Sequence, residues 1–134
     1  MTPPAHLPRH LVVLASIALP LAVAHAQGAS SLAGGADAAA GGMAFLQCAD
    51  CHSPGASNGV GPGLAGIVGR RAGSHADFQY SPAMAKATIV WDAKTLDAYL
   101  ADPKATMPGT TMDFPGISDA VERANIVAYL STLK

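Results

Sequence analysis

The residues best equipped for chemistry are crowded into one stretch, F-L-Q-C-A-D-C-H, residues 45–52. It holds both cysteines of the sequence, Cys48 and Cys51, with His52 directly after. Such a cluster can form a redox dithiol, supply half of a metal site, or make two covalent bonds to one flat cofactor. A dithiol of the thioredoxin kind opens a helix that follows a strand; here the pair closes a helical stretch in a chain with no alternating strand pattern. A structural zinc needs four ligands, and beyond residue 26 the only further Cys or His is His75. A disulfide across so short a span adds little stability, because the gain from closing a loop grows with its length.

Cys-x-x-Cys-His is also the attachment signature of c-type haem. Two cysteines three apart on one helical turn face the same way, and so reach the vinyl groups on adjacent rings of one porphyrin. His52 then lies under the iron with an imidazole to offer. The pattern therefore predicts haem c, held through two thioethers, with His52 as an iron ligand.

The surrounding sequence suits that cofactor. Three Phe, three Tyr and one Trp, set among many Ala and Gly, are a thin supply for a core; a large flat cofactor would provide the missing apolar bulk. At 134 residues the chain holds one domain. Its first 26 residues read as a secretory signal peptide: Arg9, an apolar run over residues 11–24 and the small-x-small site Ala24-His25-Ala26. The run is shorter than the roughly 20 residues that span a bilayer, and Pro20 interrupts it. Residues 27–40 read as a flexible lead-in of Ala, Gly and Ser, and residues 41–134 as the domain. The whole chain has 8 Lys+Arg against 9 Asp+Glu. That balance offers neither the basic face of a nucleic-acid binder nor a polybasic membrane patch.

The elements that must position the cluster are helical. The pattern predicts a first helix over Gly42 to Cys51, then a Gly/Pro-rich loop to Gly73. Ser81-Pro82 starts a short helix reaching about Ala87. Asp92 caps a clearer one with Leu96, Tyr99 and Leu100 at helical spacing, ended by Pro103. A second extended loop runs from Pro103 to Gly116. Ser118 caps a last helix with Ile126, Tyr129, Leu130 and Leu133 on one face. The expected fold class is small and all-α, with long loops that cannot pack on their own.

From Gly41 onward the chain resembles a class I cytochrome c of the bacterial and mitochondrial type. The likeness rests on C-A-D-C-H, G-P-G-L-A-G-I-V-G-R-R-A-G, F-Q-Y-S, the lone tryptophan in I-V-W-D-A-K-T-L-D-A-Y-L, M-P-G-T-T-M-D-F-P-G-I and N-I-V-A-Y-L, in that order. The resemblance implies a cytochrome c fold wrapped around one covalent haem, and a one-electron carrier rather than an enzyme.

By position alone the second axial ligand is open among Met43, Met84, Met107 and Met112. The resemblance implies Met112, which closes P-G-T-T-M, and a reduction potential raised by its thioether. It also implies that the Pro62 carbonyl accepts from Nδ1–H of His52 and that the Tyr99 hydroxyl aims at the Met112 sulfur. Arg70, Tyr80, Trp91 and Thr110 would surround the haem propionates, whose burial needs donors and a cation. Gly42, Phe45, Ile126 and Tyr129 would form the crossing of first and last helices. His75 lies in a polar loop and is expected to be exposed.

The chain departs from its mitochondrial relatives in their lysine ring. It has Gln47, Thr111 and Ser118-Asp119 there, with Lys104 remaining, so attraction to acidic partners should be weak. Met84 replaces an asparagine that in those relatives stands close to a propionate. The expected function is a periplasmic shuttle, monomeric and without firm membrane association. Its partners would be redox proteins such as an oxidase, a reductase or a periplasmic dehydrogenase. The competing readings are an exported thiol–disulfide enzyme and a haem protein with an open axial site, a gas sensor or peroxidase.

Overall fold

In the computed structural model, the described residues are Met1 and 35–134. The expected signal peptide, Met1 apart, and the lead-in up to residue 34 lie outside them. The domain is built from five helices: α1 (Ala38–Ala44), α2 (Pro82–Lys86), α3 (Ala93–Ala101), α4 (Pro103–Thr106) and α5 (Ala120–Leu130). A 3-10 turn, Phe45–Cys48, continues α1 into the cysteine cluster. Among the described residues the only β pairing is an isolated bridge between Arg71 and Val90.

The first helix begins at Ala38, inside the stretch expected to be lead-in. Its sequence, AAAGGMA, is a poor helix former because of the two glycines. Two outside features hold it. Asp37 caps it, its Oδ1 accepting from the N–H groups of Ala39 at 2.8 Å and Ala40 at 3.2 Å. The Asp37 N–H in turn donates to Asn125 Oδ1 of α5 at 2.7 Å. Packing against α5 does the rest, and it turns on Gly41 rather than Gly42. Gly41 is buried, and a β-carbon there would overlap the Asn125 carbonyl; one at Gly42 would only touch the Tyr129 ring. Phe45 and Tyr129 complete the crossing, their ring centroids 5.2 Å apart.

Each later helix starts on a side-chain cap. Ser81 Oγ accepts from Met84 N–H at 3.2 Å, with Pro82 opening α2. Asp92 and Thr95 form a reciprocal capping box on α3. Pro103 does not simply end α3. Asp102 Oδ1 accepts from Ala105 N–H at 2.9 Å, so the proline opens a further turn, α4, where loop was expected. The cap of α5 is Asp119, not Ser118: its Oδ1 accepts from Val121 and Glu122 at 2.7 and 3.0 Å. Ser118 instead offers its carbonyl to Arg123.

The last helix packs on α1 and α3, and Arg123 fastens it. Its Nε donates to Asp97 Oδ1 of α3 at 2.7 Å, and its Nη1 to the carbonyls of Ile117 and Ser118. Ile126, Leu130, Leu96 and Leu100 are buried where the helices meet. These side chains form one wall of a cavity, not a closed core.

Candidate haem site

The cavity has a volume of about 350 Å³ and is mostly apolar. Leu64, Ile67, Leu96, Leu100, Ile126 and Leu130 give it its greasy lining. Cys48, Cys51 and His52 are presented by the turn that ends the first helix, and Met112 comes from the loop after α4. Arg70, Tyr80, Trp91, Tyr99, Thr110 and Pro62 also line it. All ten residues singled out from the sequence therefore converge on one cavity, although they span residues 48–112. An apolar slot lined by two thiols, an imidazole, two thioethers and two guanidinium groups fits a haem in shape and donor set.

His52 is held from behind. Its Nδ1 lies 2.8 Å from the Pro62 carbonyl oxygen. A carbonyl only accepts, so Nδ1 carries the proton and Nε2 is left with its lone pair. The backbone before Pro62 crosses the imidazole so closely that a β-carbon at Gly61 would overlap the ring. That need for glycine escaped the sequence reading, although the G-P-G stretch marked the place.

The methionines separate by position. Met112 is half-buried and lines the cavity; Met107, five residues earlier, is buried in the core and does not. Met43 is exposed on α1. Met84, on α2, also lines the cavity.

Tyr99 is arranged differently from the expectation. Its hydroxyl lies 2.9 Å from Thr110 Oγ1, which also accepts from the Met112 N–H at 3.3 Å. The phenol thus holds the loop that carries Met112 through Thr110, whose hydroxyl takes the Met112 N–H. Burial pushes the Tyr99 phenol above its ordinary range, and the Thr110 hydrogen bond partly offsets this. Trp91 packs on the Tyr99 ring at 5.1 Å, and Phe78 meets Tyr80 edge-on at 4.9 Å.

Arg70 is half-buried on a scaffold of acceptors: Nη1 to the Ala65 carbonyl at 2.9 Å, Nη2 to the Gly63 carbonyl at 3.1 Å, and Nη1 to His75 Nδ1 at 3.0 Å. Burial lowers the guanidinium from its ordinary value, and the neighbouring Tyr80 opposes that shift. His75 is therefore not a free surface residue, as its polar loop suggested, but half-buried beside Arg70. Asn58, unremarked in the sequence, cross-links the same region through Gly63 N–H and the Ala76 carbonyl.

The cysteines are not joined to each other. Burial first, then Cys51 and Glu122, push the Cys48 thiol up and away from the thiolate. At the cavity mouth Gln47 Nε2 donates to Glu122 Oε1 at 2.8 Å, joining the cysteine turn to the start of α5.

Against this geometry, the sequence profile of the family described as cytochrome c matches residues 38–134. The chain is 46% identical over 100 residues to cytochrome c2 of Rhodoblastus acidophilus, a match covering 73% of this chain and 94% of that one. It is 48% identical over 91 residues to cytochrome c2 iso-2 of Magnetospirillum fulvum, covering 67% and 95%. Among solved structures it is similar to cytochrome cH from Methylobacterium extorquens, with a TM-score of 0.70 and 48% identity over 72% of this chain and 98% of that one. The chain belongs to the cytochrome c family. It is an electron-transfer protein rather than an enzyme, and its cofactor is a covalently attached haem c.

Proposed function

We propose that the chain is an exported, periplasmic one-electron carrier with haem c bound through Cys48 and Cys51 and ligated by His52 and Met112. The observation that carries this is the shared cavity: His52, its proton fixed on Nδ1 by Pro62, and Met112 both line it, while Met107 is withdrawn into the core. When bound, the haem supplies a one-electron iron couple. The chain's residues do the positioning. Pro62 orients the imidazole and leaves Nε2 free to bind metal. Tyr99 and Thr110 hold the Met112 loop by hydrogen bonds. Arg70, with Tyr80 and Trp91, supplies the polar side that charged haem substituents require. With His52 and Met112 both holding the iron, the haem would exchange electrons and leave no place for a substrate.

The expected signal peptide and the bacterial cytochrome c2 relatives support the periplasm. Among the described residues no helix is long and apolar enough to cross a membrane. The partners are redox proteins, met by a single copy of the chain. The test is the absorption spectrum after periplasmic expression in a host that attaches haem, recorded for wild type, Met112→Ala and Met107→Ala. The weak far-red band of sulfur bound to ferric iron should be present in wild type and Met107→Ala and absent in Met112→Ala. A haem-bound wild type lacking the band would put the open-site reading ahead. A colourless protein with two reactive thiols would sink the haem assignment altogether.

A further inference from the structure

The side chain of Arg70 would need only its backbone carbonyl partners to stay put, yet a histidine is placed against it. His75 Nδ1 lies 3.0 Å from Arg70 Nη1, and His75 Nε2 lies 2.9 Å from the Ala56 carbonyl oxygen. Both partners are chemically one-sided. A guanidinium can only donate and a carbonyl can only accept. The two contacts are satisfied together by one form of the ring alone: neutral, with the proton on Nε2 and the lone pair on Nδ1.

We infer that His75 is a positioning residue for Arg70, a neutral imidazole latch between the loop after the cysteine cluster and the cationic wall of the cavity, released by protonation. A second proton on the ring would remove the acceptor and place Nδ1–H against Nη1–H, with two cations in contact. Among the described residues, the side chains nearby offer little to relieve that. Arg71 turns its guanidinium to the Ala87 carbonyl, 3.0 Å away. Tyr80 neighbours Arg70. Asp77 lies two residues on and is exposed. The ion pairs found among the described residues, Lys104–Asp113 and Arg123–Asp97, involve neither His75 nor Arg70. Asn58 bridges the same two loops through the Ala76 carbonyl at 3.1 Å, so release of His75 loosens Arg70 without freeing the loops.

The latch follows from hydrogen-bond geometry alone. Its redox consequence rests on the haem reading of the cavity. A proton gained beside Arg70 adds positive charge near the iron and disfavours the oxidised state. The reduction potential should therefore rise on acidification from the alkaline to the acid side of neutrality.

The experiment uses the holoprotein as wild type, His75→Gln and His75→Ala. Nitrogen NMR of the His75 ring at the upper pH should show the Nε2–H form. His75→Gln keeps an acceptor and a donor on one amide but cannot take up the proton. Its potential should rise less on acidification than that of wild type. His75→Ala should lose slowly exchanging Arg70 guanidinium protons at the upper pH, which His75→Gln should retain. An Nδ1–H or freely averaging ring would overturn the latch, and equal pH slopes in wild type and His75→Gln would overturn its release by protonation. A protein without bound haem would overturn the haem reading and the redox consequence that rests on it.

Discussion

Nδ1 of His52 stands 2.8 Å from the carbonyl oxygen of Pro62, and the chain that delivers this carbonyl passes over the imidazole at Gly61 with no space for a methyl group. The two contacts work as a vice, fixing both the plane of the ring and the nitrogen that keeps its lone pair. Gly61→Ala should force ring and backbone apart. The cost should be about 1–3 kcal/mol, as for other overpacked interiors, read by denaturant unfolding of the holoprotein. An unchanged midpoint would show that the loop moves aside freely.

Tyr99 and Thr110 make a test of pH as well as of strength. Removing the hydroxyl in Tyr99→Phe should cost about 0.5–1.5 kcal/mol near neutrality. Burial raises the folded phenol above its unfolded value. The neutral phenol's contribution is thus complete below the unfolded value, about 10, and is lost as pH climbs through the raised folded value. Tyr99→Phe should flatten that alkaline loss. Parallel alkaline unfolding curves for the two proteins would count against the buried phenol as its source.

The two ion pairs should differ sharply. The Arg123 side chain is 13% exposed and makes three hydrogen bonds across α3, α5 and the chain before α5. Arg123→Ala should cost about 1.5–3 kcal/mol, the scale of hydrogen bonds to a charged group. Lys104 and Asp113, 66% and 95% exposed, form a pair worth about 0–1 kcal/mol. Thermal unfolding of Arg123→Ala and Lys104→Ala ranks them, and only the second should weaken with added salt.

Asp92 and Asp119 predict behaviour on the acid side. Each is held below the ordinary carboxylate range, chiefly by hydrogen bonds from the helix it caps: Thr95 onto Asp92, Glu122 and Val121 onto Asp119. Their contribution is present above the unfolded value of about 3.9 and disappears as pH falls through the lowered folded values. Stability curves of Asp92→Asn and Asp119→Asn should be shallower than wild type in that acid window. They should run parallel to it near neutrality.

The sequence made some of this plain and hid the rest for identifiable reasons. Cys-x-x-Cys-His is a local code, so the haem attachment point could be read without a fold. The caps at Ser81 and Asp92 were legible because capping is also local. Ser118 was mistaken for the α5 cap because Ser and Asp119 are adjacent and both suit the position; only the backbone register decides. The start of α1 was hidden because Ala-Ala-Ala-Gly-Gly helices form by tertiary support, here from α5, and not by propensity. His75 looked like a loop residue because its meaning lies in Arg70 and Ala56, contacts made by folding rather than by pattern.

The bond from Asp37 N–H to Asn125 Oδ1 spans 88 positions, and Gly41 sits against the same Asn125. Closing so long a loop is entropically the expensive step for this chain, and it needs α5. A chain that emerges from its N-terminus therefore cannot complete the domain until α5 has followed. Until then Cys48 and Cys51 have no folded cavity around them. The order of arrival itself keeps the attachment site open to whatever couples the haem.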